Sequence, residues 1–195
     1  MRATTIAVSL FALALWAGYA TAQTTPPPDS LKVDYFTNAH TAGAPDASVH
    51  LTNPGTTGSN MCAAIFVFDT FEEMSECCSC MLSTNDLRTL SVNTDLTSNP
   101  AVGRNLQTGL ISIVSTTPTE ETCPLPTVLN PTSGGVRAWA THIGRFQLGP
   151  FGGFTESTTA SQDATLSGEE QGQLALICEF LSFLGRGICT CGTGE

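Results

Sequence analysis

The chain has 195 residues, with 17 acidic side chains against 7 basic ones, a formal net charge of -10 and an isoelectric point near 4.5. Lys32 is the only lysine, so no basic patch is available to neutralise phosphates or anionic lipid, which argues against nucleic-acid and membrane-surface partners. Charged residues reach only 12%, and the Thr, Ser, Gly and Asn that replace them suit strands and turns better than surface helices.

In chain order, Arg2, an apolar run from Ile6 to Ala17 and the small residues Ala20-Thr21-Ala22 before Gln23 have the layout of a cleavable export signal. The run is roughly 12 residues long against the ~20 that a spanning helix needs, and no second segment of that length follows. Cleavage after Ala22 is therefore expected, leaving a secreted, periplasmic or cell-envelope protein with no membrane span. Gln23 offers no thiol for acylation. Residues 23–30 carry Pro26, Pro27 and Pro28, which preset an extended conformation and donate nothing to a sheet, as expected of a tether. Residues 31–195 have the length of one domain.

Apolar or period-two runs of strand length follow at Leu31 to Phe36, Ser48 to Thr52, Cys62 to Phe68, Leu87 to Val92, Leu110 to Ser115 and Val136 to Ile143. Turn formers separate them at His40 to Pro45, Asn53-Pro54-Gly55, Ser83 to Asp86, Asn99 to Gly103 and Asn130 to Gly135. Short strands without helical crossovers predict a mainly β fold, an antiparallel sandwich of immunoglobulin-like or related type. Met61 to Phe68 is apolar at every position, as in a central strand buried on both faces. In Arg137 to His142, Ala138, Ala140 and His142 share one face and Arg137, Trp139 and Thr141 the other. The exception is residues 167–184, where Ser167 and Glu170 form a capping-box pattern and Leu174, Ile177, Cys178 and Leu181 recur at helical spacing before Gly185 and Gly187. One C-terminal helix packed on the sandwich is expected.

Eight cysteines follow the signal: Cys62, Cys77, Cys78, Cys80, Cys123, Cys178, Cys189 and Cys191. An even count behind an export signal predicts disulfides. Two bridges between the Cys-Cys-x-Cys cluster and the Cys-x-Cys pair would staple the C-terminal tail to the β core, although the spacing alone leaves about 105 complete pairings open. The same five thiols could instead hold zinc, but their spacing departs from the usual Cys-x-x-Cys knuckle. A redox role lacks the Cys-x-x-Cys motif at a helix N-terminus that lowers a thiol pKa.

No catalytic or cofactor-binding residue stands out. His40, His50 and His142 come without a Gly-x-Ser-x-Gly elbow and are expected to be surface or hydrogen-bonded structural residues. Asp69, Glu72, Glu73 and Glu76 could offer carboxylates for Ca²⁺ or glycosidic chemistry, but they match no Ca²⁺ loop and read as a solvated turn before the cysteine cluster. Asn93, Asp95 and Asn99 form a similar oxygen-rich loop. Phe146, Phe151 and Phe154, set among glycines and a proline, read as an irregular loop whose rings either fold back to cover an open end of the sandwich, the reading favoured, or point outward as a candidate contact patch.

Taken together, Ile65-Phe-Val-Phe-Asp69, Glu76-Cys-Cys-Ser-Cys80, Val136-Arg-Ala-Trp-Ala-Thr-His142 and Ile188-Cys-Thr-Cys-Gly192 resemble a group of uncharacterised secreted bacterial proteins with the same cysteine arrangement. The resemblance implies export and a shared disulfide-stapled fold, and brings no activity or catalytic residue with it. The reading favoured is an extracellular binding or structural module with an unidentified partner outside the cell or in its envelope. The alternatives are a secreted polysaccharide hydrolase using the carboxylates of residues 69–76, and a thiol metal-binding protein.

Overall fold

The computed structural model describes residues 29–132 and 135–192. The expected export signal and most of the tether lie outside them. The strands are β1 (Leu31–Phe36), β2 (Ser48–Thr52), β3 (Met61–Phe68), β4 (Met74–Leu82), β5 (Leu87–Ser91), β6 (Gly109–Thr116), β7 (Arg137–Leu148), β8 (Phe151–Ala160) and β9 (Gln162–Ala164), followed by helix α1 (Gly168–Leu184). They form two sheets, β4-β3-β6-β1-β9 and β5-β2-β7-β8, in which every paired neighbour is antiparallel. The protein is thus a β-sandwich with one C-terminal helix.

The continuous apolarity of β3 follows from its place inside the first sheet. Ala63, Ile65 and Val67 point into the core between the sheets, where they meet Val49, Leu51, Leu90 and Ile113, while Ala64 and Phe66 point outward beneath α1. Each such side chain, taken fully out of water, stabilises the fold by ~1.5–3 kcal/mol. A strand loaded on both faces is the pattern of a layer covered on both sides.

Two expectations need correction. The acidic run at 69–76 is a turn only in its first part: from Met74 the chain enters strand β4, the edge of the first sheet, which carries Glu76 and the cysteine cluster and pairs along its length with β3. Cys, Ser and Glu carry little strand preference, so composition hid it. Residues 145–154 are not an irregular loop but the body of the β7–β8 hairpin, whose partners run from Trp139 opposite Ala160 to Leu148 opposite Phe151. Only Gly149, in the left-handed region at φ 60°, and Pro150 make the turn. Gly152 and Gly153 stay in the strand because Gln147 and Phe146 fill the space above them: a Cβ on Gly153 would sit 3.0 Å from the Phe146 ring.

All eight cysteines are paired: Cys62–Cys123, Cys77–Cys178, Cys78–Cys189 and Cys80–Cys191. Alternation along β4 explains the partition. Cys78 and Cys80 face the sandwich core and take the tail cysteines, whereas Cys77 faces outward and takes the helix. The tail then runs parallel beside β4, with Cys77 N donating to Gly187 O at 2.8 Å and Cys189 N to Cys77 O at 3.2 Å. This covers the β4 edge, which would otherwise present unpaired backbone groups. Arg88 Nη1 in β5 donates to Cys191 O at 2.9 Å, so the tail also ties the second sheet to the first.

Four disulfides fit an oxidising, extracellular-type compartment. Among the described residues, no helix is long and apolar enough to cross a membrane.

Candidate functional site

Helix α1 starts as its sequence dictates. The Ser167 side chain accepts from Glu170 N at 3.1 Å, and Glu170 Oε2 accepts from Ser167 N at 2.8 Å. Hydrogen bonding of the carboxylate by Ser167, through its side chain first and then its backbone N–H, holds the Glu170 carboxyl below its ordinary pKa. At the other end Gly185, in the left-handed conformation, donates to Leu181 O and Ser182 O and stops the helix. What it buries is less expected. The stripe Leu174, Ile177, Cys178, Leu181 read as one packed face, but only Cys178 and Leu181 are buried; Leu174 is half-buried and Ile177 is exposed. The Cys77–Cys178 disulfide, in mid-helix, fastens α1 to the first sheet, and Gln171 Nε2 donates to Leu129 O at 2.6 Å beside it.

The larger apolar residues point away. Leu176 is 66%, Phe180 59% and Phe183 87% exposed, and Leu184 extends the same outward stripe at i, i+4, i+7, i+8 spacing. Sequence reasoning missed this face, although a signal was present: from Leu174 to Leu184 every residue except Glu179 and Ser182 is apolar, more than one side of a helix can bury against one sheet.

Along the flank of α1, Leu174 and Ile177 join Leu31, Phe68, Leu110 and Leu166 around a groove of about 440 Å³. Carboxylates border it: Asp69, Glu72 and Glu170. Asp69 also closes the turn below β3, accepting from Phe71 N at 2.8 Å and Glu73 N at 3.0 Å, and pairs with Arg104 at 3.3 Å. The Arg104 guanidinium lies over the exposed Phe71 ring, 5.6 Å from its centre.

The sequence-based contact patch is divided. Phe151 is 74% exposed at the hairpin tip with Leu148, Phe146 is also exposed, and Phe154 packs against the sandwich core.

The acidic run is not a solvated turn throughout. Glu76 is completely buried in β4; Oε1 accepts from Asn99 N at 2.9 Å, and Oε2 has no hydrogen-bond partner among the described residues. Burial pushes its pKa up to about 8 against the partial opposition of that hydrogen bond. Glu76 is closed off from any substrate by its burial, and the Asp69 carboxylate is occupied in its turn, whereas Glu72 and Glu73 are exposed. Asn93 Oδ1 accepts from His40 N, Asp95 from Ser91 N and the Thr190 hydroxyl, and Asn99 Nδ2 donates to Ile188 O, so this loop serves the fold.

Each histidine has structural partners. His40 Nε2 meets the Thr97 hydroxyl at 2.8 Å. His50 lies between Ser48 and Thr89, stacked on Trp139, with its pKa lowered by burial. The buried His142 stacks on Tyr35, with Nδ1 at Tyr35 O and Nε2 at the Thr159 hydroxyl. Asp34 Oδ1 lies 3.4 Å from that same Nε2, so no relay runs through the ring from carboxylate to hydroxyl. The sulfurs of Cys78, Cys80 and Cys191 lie within 4.8 Å of one another, yet each is in a disulfide and none is a thiolate that could bind metal.

Comparison with family models, with curated proteins and with solved structures finds no match in any of the three.

Proposed function

We propose that this protein is an exported binding module and that the outward face of α1, with the groove beside it, is its docking surface. The observation behind this reading is that α1 holds Leu176, Phe180 and Phe183 in solvent while the Cys77–Cys178 disulfide and the packing of Leu174 and Leu181 fix its other face on the first sheet. A helix free to choose would turn such residues inward, where each gains a few kcal/mol on burial. The staple makes their outward orientation a constant feature, and a persistent apolar patch on an acidic protein fits an interaction site. Single deeply seated aromatic anchors dominate interface energetics, and Phe180 and Phe183 have that character.

Site-specific photo-crosslinking tests the reading. With a benzoyl-phenylalanine replacing Phe183 in the secreted protein, ultraviolet light applied in the producing culture is expected to yield one dominant adduct that a probe at Thr94 does not give. Uniform or absent adducts at positions 180 and 183 would remove the docking surface from the account.

A further inference from the structure

Resting on that docking surface, we propose that its occupant is a cationic amphipathic segment of another protein, an apolar stripe bordered by Lys or Arg. The apolar floor is the groove of about 440 Å³ between α1 and the first sheet, and it is continuous at Ile177 with the outward face of the helix. Its borders are one-sided in charge. Glu72 and Glu170 line the groove beside Asp69, whose buried carboxylate is already paired with Arg104; Glu169 stands in the first helical turn, and Glu179 projects among the exposed apolar side chains. α1 itself contains no Lys or Arg. Of the six Lys and Arg in the described residues, Lys32 is buried against Asp163, Arg104 is held by Asp69, Arg88 donates to Cys191 O, Arg137 and Arg145 lie on β7 of the second sheet, and Arg186 follows the helix end.

An apolar groove rimmed by carboxylates selects among occupants by sign. A second copy of this chain would bring Glu against Glu, on a protein whose formal net charge is already -10. An anionic bilayer would be repelled for the same reason. A segment with apolar anchors at helical spacing and flanking Lys or Arg satisfies both parts of the surface, as helix-in-groove recognition does generally.

The test uses residues 23–195 with all disulfides formed and two synthetic 18-residue helical peptides. Both peptides carry one Leu/Phe stripe, and the flanking positions are all Lys in one and all Glu in the other. Fluorescence anisotropy is expected to show the Lys peptide binding at least ~10-fold more tightly than the Glu peptide. Its affinity should fall about 5-fold or more from 50 to 300 mM salt, because rim charges are screened over such distances. Glu72→Gln with Glu170→Gln and Glu179→Gln should weaken the Lys peptide ~10-fold; Gln keeps the capping box, so the fold is retained.

Equal binding of both peptides, abolished by Phe180→Ser with Phe183→Ser, would overturn the charge inference and leave the docking surface standing. Failure of both peptides to bind, beside a dominant adduct from position 183, would do the same. Failure of both with no adduct would remove the docking surface as well. Concentration-dependent self-association abolished by the double serine variant would assign the face to a second copy, and equal capture by phosphatidylcholine vesicles would assign it to neutral lipid; either result overturns the proposal.

Discussion

The outer face of α1 and the tip of the β7–β8 hairpin both carry exposed apolar residues, yet they are held in different ways. On α1, Phe180 and Phe183 stand on a helix capped at both ends and fixed through Cys178 to a strand of the first sheet. At the hairpin tip, Phe146, Leu148 and Phe151 ride on two strands whose outer residues are exposed, tied only by their own ladder. Two-stranded ribbons are marginal by themselves, so the tip is the less constrained of the two. Apolar exposure thus separates into a preorganised surface, which loses little freedom on binding, and an arm that must be ordered at some cost.

The sharpest way to break this contrast is to cut the staple. Cys77→Ser with Cys178→Ser opens a link between residues 101 apart in sequence, which on chain-entropy grounds lowers stability by roughly 4–5 kcal/mol. Thermal denaturation should register that loss, and hydrogen exchange should show α1 losing protection while the hairpin amides near Trp139 keep theirs.

A pH change should loosen the helix side and spare the hairpin. Glu76 sits under the loop at Asn99, which receives the hydrogen bond from Gly187 N just past the helix. Its folded pKa of about 8 lies above the ordinary value of 4.5. Between those values the native state holds a proton that the unfolded chain has released, so stability is full below the lower value and falls as pH rises through the upper one. The expected decline is a few kcal/mol, measurable by denaturant titration at several pH values. Glu76→Gln should flatten the profile.

Removing the helix cap is milder: Ser167→Ala should cost ~1 kcal/mol in thermal stability. The smallest effects belong to the exposed residues themselves. Phe183→Ser and Leu148→Ser should each change stability by less than about 0.5 kcal/mol, since neither side chain is buried. A larger loss at Phe183 would mean that it packs inward in solution.

Much of the fold was legible because hydrophobic period and turn chemistry agreed. β1 and β2 have the limits expected from their runs, and the Ser167–Glu170 box sets the start of α1. Elements escaped where side-chain identity spoke against local structure. β4 is made of cysteines, serine and glutamate, and only its alternation, with Cys77 opposite in sense to Cys78, foretold that neighbouring cysteines would take different partners. In the hairpin, glycine meant clearance for the Phe146 ring, not a break. The candidate docking face was hidden for a third reason. Helical periodicity identifies a helix but cannot say which side is covered when apolar residues surround it; here the covered side is the one that carries Cys178 and Leu181.

The most direct test of the account is carbene footprinting of the protein in the fluid that bathes the producing cells, compared with the same protein purified. The account predicts that labelling of Phe180 and Phe183 falls several-fold in the native fluid while Leu148 and Phe151 label equally in both. Protection at the hairpin tip with α1 fully labelled would contradict it.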